Sequence, residues 1–383
     1  MIHSTDRILV THQGTLPRPA DLRQMVLDRA AGKPVDKAKL NERWAEATKE
    51  VVKRQLEIGI DSINDGELNK SSFSNYVRER LGGITVVPAR EGDGLEQQMM
   101  FSRDLPEFGE YFKDRVDAAL KAPRMLATGP VTYIGQADIQ ADIANFKAAL
   151  EGLNVAEAYL PAVTPGTMEH WLRNQHYATD EEFLTACADA MHQEYQAIVD
   201  AGFLLQVDDP DLPDGWHIHT EMDLPQYLKF AEVRVDALNH ALRGIPEDRV
   251  RFHTCWGSYH GPHKYDLPLK DIVHLILKVN AGAYSIEASN PMHDHEWEVW
   301  ESVKLPTGKQ LIPGVVGHCS DHIEHPQLVA NRLVRYAEIV GRENIMAGTD
   351  CGLGSRVGHP NIAWNKYEAM VEGARIASRK LWS

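Results

Sequence analysis

Short apolar segments alternate with long amphipathic ones along almost the whole 383-residue chain, and this alternation restricts the fold more than any other feature. Strand candidates are Ile8–Gln13, Asp61–Asp65, Met125–Val131, Phe203–Val207, Val250–His253, Tyr284–Ile286, Leu311–Val316 and Ile345–Gly348. Between them run helical stretches such as Asp36–Ile58, Glu181–Asp200, Asp271–Val279, Pro326–Val340 and Ile362–Leu381. In Pro326–Val340 the residues Leu328, Val329, Leu333, Ala337 and Ile339 trace one apolar stripe, with Pro326 at a favourable first position and Gly341 at a favourable exit. Strands separated by amphipathic helices make a parallel sheet with helical crossovers. Eight such units predict an α/β fold, a single elaborated (β/α)8 TIM barrel over residues 1–383. A ninth apolar piece, Ala158–Val163, exceeds that count and is read as an elaboration. Leu68 to Pro123 is too long for a simple connection and predicts an insertion after the second strand, serving as lid or substrate wall. It holds the charged tract Arg90–Gly94 and the aromatic residues Phe108, Tyr111 and Phe112.

Charge and cysteine usage remove several function classes. A formal net charge of -15 without a local basic patch argues against nucleic acid or an anionic membrane as partner. No apolar run reaches the length of about 18 residues that a membrane span needs, and the first residues carry no secretory pattern. Four cysteines without paired spacing predict no disulfide framework and suit a reducing cytoplasm.

The apolar runs end on chemistry. His253 and Cys255 close the fifth strand, Glu287 the sixth and Cys351 the eighth. In a parallel barrel these residues reach one rim, where catalytic groups collect. His253 and Cys255 are two residues apart, so in a strand they face the same side. One imidazole, two thiols and a carboxyl group are ligands that zinc takes in tetrahedral geometry. Two thiolates and a carboxylate would leave the site with about one net negative charge, which weakens zinc as an activator of water. A substrate thiol would still lose its proton there and remain nucleophilic. Attack of a zinc-bound thiolate on an electrophilic carbon is therefore the expected chemistry, ahead of zinc hydrolysis or a purely structural zinc.

Other strand ends are polar. Gln13, Gly14 and Thr15 close the first, Asp65-Gly-Glu67 the second and Asp208-Asp209 the fourth. Glu67 and Asp208 are placed to clamp an ammonium group, whereas Asp65 and Asp209 also suit helix capping. His318 follows the seventh strand and is the candidate to carry a proton near the metal. The pairs His217 and His219, His260 and His263, and His293 and His295 have chelating spacing but lie in loop sequence, which points to supporting or solvated roles. Cys187 sits mid-helix as a packing residue.

These residues, with Gly129-Pro-Val-Thr132, Val207-Asp-Asp-Pro210 and Asp350-Cys-Gly352, resemble the cobalamin-independent methionine synthases in their catalytic barrel, over essentially the whole chain. The resemblance implies zinc held by His253, Cys255, Glu287 and Cys351, and homocysteine bound by Gln13, Gly14, Thr15, Glu67 and Asp208. It also implies a methyl donor, methyltetrahydrofolate in the family, with Asp214 near its site. At the position expected for the family's folate-packing tryptophan stands Gln136, and the catalytic histidine has its nearest counterpart in His318, offset by one, with Cys319 in the aligned place. The expected activity is zinc-dependent alkyl transfer to a small-molecule thiol, methyl transfer to homocysteine first, with epoxide opening by zinc-bound coenzyme M, known in the same group, as the alternative. A homo-oligomeric state is left open.

Overall fold

The computed structural model describes residues 1–89, 99–354 and 356–383, so the tract at 90–94 lies outside the described residues. Its strands are Leu9–Val10 (β1), Ser62–Ile63 (β2), Leu81–Val87 (β3), Arg124–Tyr133 (β4), Glu157–Val163 (β5), Leu172–Asn174 (β6), Leu204–Asp208 (β7), Val250–Thr254 (β8), Ala283–Ile286 (β9), Gln310–Val316 (β10) and Met346–Thr349 (β11). Eight of them form one sheet in the order β1-β11-β10-β9-β8-β7-β5-β2, parallel throughout. Across the remaining seam the Asp61 N–H donates to the Val10 carbonyl at 2.8 Å. The result is a nearly closed barrel with the expected alternation of helices.

The membership of the barrel differs from the sequence reading at one strand. β5, taken as an elaboration, is the third barrel strand, paired with β2 on one side and β7 on the other. β4, taken as a barrel strand, lies outside it, between antiparallel β3 and parallel β6. Burial explains the exchange. A barrel strand is covered on both faces, and β7 to β11 are buried at every residue. Buried and exposed residues mix along β4, as on a sheet with one open face. The excursion between barrel strands β2 and β5 therefore runs over residues 64–156.

Helix ends follow local chemistry. The Asp36 carboxylate accepts the Ala38 and Lys39 N–H groups at the start of Lys37–Ile58, and Gly59 ends that helix at φ 101°. Asp223 and Gln226 form a reciprocal capping box on Leu224–Ala241. Pro326 starts Pro326–Val340 and Gly341 follows its end. No helix among the described residues is long and apolar enough to cross a membrane.

At the rim, the ladder between β10 and β11 shifts register between Gly314 and Val316. A Cβ on Gly314 would stand 2.1 Å from Asp350 Oδ1 and 2.7 Å from its Cα. Gly314→Ala should thus cost about 1–3 kcal/mol by overpacking. Gly109→Ala, in the helix Leu105–Ala119 with nothing within 4 Å, should be neutral or stabilise by up to about 1 kcal/mol. Urea midpoints of the two variants check this; equal midpoints would contradict the close packing at Gly314.

Candidate metal and thiol site

Parallel pairing brings the strand ends to one rim in register: Asp208 lies opposite His253, and His253 opposite Ser285. His253, Cys255 and Cys351 converge there, with ligand atoms within 4.8 Å of one another. His253 is 3% and Cys255 2% exposed, and Cys351 is partly exposed. His253 Nδ1 lies 3.3 Å from Ser285 Oγ, while its Nε2 has no hydrogen-bond partner among the described residues. That leaves one ring nitrogen tethered and the other free to ligate, the usual arrangement of a metal-binding histidine. The Ser258 hydroxyl donates to Cys351 Sγ at 3.2 Å. The Cys351 thiol lies well below its ordinary pKa because Cys255 donates to it, against the effect of burial, with His253 assisting. Its partner Cys255 is pushed up by the same hydrogen bond and by burial. Two thiols, one already thiolate-like, beside an orphaned imidazole nitrogen are a donor set that fits a zinc ion.

Glu287 does not join this triad. Its ligand atoms group instead with His318 and Cys319, again within 4.8 Å. Glu287 Oε2 accepts the Trp256 N–H at 2.7 Å and Oε1 the Asn290 amide at 3.0 Å. Burial raises its pKa. Asp350 fixes the segment after Glu287, accepting the Ala288 and Ser289 N–H groups at 2.9 Å and the Ser289 hydroxyl at 2.6 Å.

The three converging residues open onto a cavity of about 800 Å³, which Gly14, Thr15, Glu67 and Asp208 also line. Gly14 adopts φ +59°, and a Cβ there would stand 3.0 Å from the Gly352 Cα, so only glycine lets the first and last strand ends meet beside Cys351. Gln13 does not line the cavity. It is fully buried, and its side-chain amide finds no partner among the described residues. Glu67 holds a left-handed φ of 51°, uncommon for a residue with a side chain. Burial pushes its pKa up to about 8, although Lys70 Nζ lies 3.7 Å away. Burial likewise raises Asp208 to about 6, against the hydrogen bond from Gln206 Nε2 at 2.9 Å. Asp65 and Asp209 have turn and capping roles: Asp65 accepts the Glu67 N–H, and Asp209 accepts the Leu212 N–H, both at 3.0 Å.

Neither residue that the sequence reading sets near a second substrate, Gln136 or Asp214, lines the cavity. Gly129-Pro-Val-Thr132 lies on β4, outside the barrel, and the Gln136 amide donates to the Tyr133 carbonyl away from the cavity. An aromatic residue of the cavity lining ends the helix that follows barrel strand β5. There Trp171, 36% exposed, stacks on His170 with ring centroids 4.6 Å apart, and both line the cavity. The misplaced strand hid this residue. Asp214 is fully buried, with neither carboxyl oxygen paired among the described residues, and burial holds its pKa well above the carboxylate range.

One histidine from each loop pair meets on Asp266: His217 Nε2 at 2.9 Å, His263 Nδ1 at 2.8 Å and His293 Nε2 at 2.9 Å. His263 Nε2 also faces the Tyr259 carbonyl at 3.1 Å, and His293 Nδ1 the Glu296 carboxylate at 2.7 Å. Both nitrogens of these two rings point at acceptors, so each ring carries two protons and a positive charge. Burial opposes that charge, but the bonds to Asp266 and Glu296 prevail and raise His293 to about 10. The Trp256 ring stacks on His293 at 4.1 Å while its backbone N–H holds Glu287, which links this network to the rim. Spacing alone gave no sign that Asp266 would gather the three.

Over residues 162–375 the chain matches the family described as "Cobalamin-independent synthase, Catalytic domain". Among curated relatives, the methionine synthase of Sulfolobus acidocaldarius is 26% identical over 373 residues, covering 96% of this chain and 91% of the relative. That of Saccharolobus solfataricus is 24% identical over 370 residues, covering 96% and 94%. In fold the chain is similar to a B12-independent methionine synthase from Shewanella sp. W3-18-1 in complex with selenomethionine, with TM-score 0.70, 19% identity and coverage of 98% and 99%. A methyltransferase from Methanosarcina mazei follows with TM-score 0.55, 13% identity and coverage of 99% and 95%. The family match takes in more than half of the chain, rim residues Asp208, His253, Cys255, Glu287, His318 and Cys351 included, and the chain belongs to the cobalamin-independent synthase catalytic-domain family.

Proposed function

We propose that the chain is a zinc-dependent methyltransferase acting on homocysteine, with a zinc-bound thiolate as nucleophile. His253, Cys255 and Cys351 would hold the ion, and Glu287 would be an exchangeable fourth ligand reached by rotating off Trp256 and Asn290. Zinc supplies an electrophile that ionises a substrate thiol near neutral pH while leaving it reactive. The chain's own residues orient the rest of that substrate. Glu67 and Asp208 receive its ammonium group, and Gly14 and Thr15 frame it, above a buried Gln13. His318 is assigned to move a proton. Trp171 offers a planar face to a donor such as methyltetrahydrofolate, and residues 68–123 act as a wall, contributing Lys70, Ser71, Ser72, Tyr76 and Met100 to the cavity lining.

The observation that carries this reading is the pair of buried carboxyl groups beside the sulfur triad. A desolvated carboxylate is costly unless a cation meets it, and both are pushed up for that reason. An amino thiol brings that cation. A sulfonate-bearing thiol such as coenzyme M has none, and would leave Glu67 with Lys70 alone and bring Asp208 no cation.

Zinc should bind at about one tight equivalent through the first triad, and Cys255→Ala or Cys351→Ala should abolish that binding and the activity; full zinc occupancy in both variants, measured by elemental analysis, would sink the assignment. Calorimetric titration of the zinc-loaded chain should show homocysteine binding with proton release. Glu67→Gln or Asp208→Asn should weaken it by about 2–5 kcal/mol. Tighter binding of coenzyme M, unaffected by either change, would favour the sulfonate thiol.

The Asp266 network should appear in the pH dependence of stability. His293 sits near 10 in the fold against about 6.5 when unfolded. Its contribution is therefore complete below about 6.5 and lost as pH rises through 10, at up to about 1.4 kcal/mol per pH unit. His293→Gln should lower the melting temperature at pH 7 and flatten its fall towards pH 10; parallel pH profiles would show that His293 is uncharged.

A further inference from the structure

We propose that Lys70 receives the α-carboxylate of the thiol substrate while Glu67 beside it receives the ammonium group, so that the pair selects an α-amino acid among thiols. The inference rests on the homocysteine reading above and names the part of that substrate which Lys70 recognises.

The two side chains stand at the ends of one fixed turn. The Lys70 N–H donates to the Glu67 carbonyl at 3.1 Å, and Arg18 Nη2 donates to the Glu67 and Lys70 carbonyls at 3.0 and 2.7 Å. With the backbone held in this way, Lys70 Nζ lies 3.7 Å from Glu67 Oε2, and both residues line the cavity. In an α-amino acid the ammonium nitrogen and the nearer carboxylate oxygen are about 2.7 Å apart, as their shared carbon requires. A carboxylate and an ammonium side by side on one wall therefore offer that head group its opposite charges at comparable spacing.

The surroundings of Lys70 keep it charged and directed at the cavity. Of its three ammonium protons, the Pro161 carbonyl takes one at 2.5 Å, and the Tyr76 ring lies 5.3 Å from Nζ. Glu67 is the only carboxylate within 4.0 Å of Nζ among the described residues. Asp65, Asp142 and Glu194 attract it from farther away, and together with Glu67 they hold its pKa up against burial. Asp142 and Glu194 are committed elsewhere: Arg80 donates to Asp142 at 2.6 Å, and the Tyr76 and Tyr133 hydroxyls donate to Glu194. When a substrate ammonium takes Glu67, the carboxylate on the same substrate carbon answers the Lys70 charge through a charge-assisted hydrogen bond. A sulfonate thiol would meet Lys70 but bring nothing to Glu67 and Asp208.

The test compares homocysteine with 3-aminopropanethiol, which keeps the ammonium and lacks the carboxylate, by calorimetric titration of the zinc-loaded full chain. Wild type should prefer homocysteine by about 10- to 100-fold, the worth of one hydrogen bond between charged groups. In Lys70→Gln the preference should shrink to about threefold or less, whereas Lys70→Arg should keep most of it. The ratio of the two affinities cancels any change at Glu67 that both thiols feel, and retained zinc reports an intact site. A preference unchanged in Lys70→Gln would overturn the inference. Failure of both amino thiols to bind wild type would count against the homocysteine reading instead. Lys70 is then judged with 4-mercaptobutyrate, which has the carboxylate alone and should bind wild type more tightly than Lys70→Gln; equal affinities would overturn the role of Lys70.

Discussion

Two thiols and an imidazole, carried by the ends of two barrel strands, are brought together at the rim, two of the three buried. The ligand atoms of Cys255, Cys351 and His253 lie within 4.8 Å of one another, and His253 Nε2 has no hydrogen-bond partner among the described residues. Burying polar groups in this state is unfavourable without a shared proton or a cation. A dication relieves all three at once. The rest of the rim is organised around that requirement, with Ser285 orienting the imidazole and Ser258 donating to Cys351.

The barrel supplies the precision that such a cluster needs. β8 and β11 are separated in the sheet by β9 and β10, so His253 and Cys351 meet only if four strands keep their register. Asp350 ties β11 to the segment after β9, and Gly314 leaves room for it. Behind the rim, Asp266 and its three histidines hold the loops through Trp256. These contacts place the groups without touching a substrate, which is why their effect should be seen in stability as well as chemistry.

Much of this was legible in the sequence, for physical reasons. Strands buried on both faces read as unbroken apolar runs, and their ends mark the rim, so His253, Cys255 and Cys351 could be brought together without coordinates. The exchange of β4 for β5 shows where that signal stops. Both are apolar segments of similar length, and only pairing tells a barrel strand from one on an outer sheet. Glu287 reached the rim as expected, but its rotamer is set by the Trp256 N–H and the Asn290 amide, which no spacing rule encodes. Asp266 stayed hidden because its three partners come from separate segments, His217 from the helix Asp211–Ile218 and the other two from loops.

The central claim is that the sulfur triad holds an ion to which a substrate thiol adds. X-ray absorption at the zinc edge of the loaded chain, with and without homocysteine, tests it most directly. Two sulfur neighbours at about 2.3 Å should become three when the thiol is added. A sulfur count that stays at two, or a zinc shell of nitrogen and oxygen alone, would contradict it.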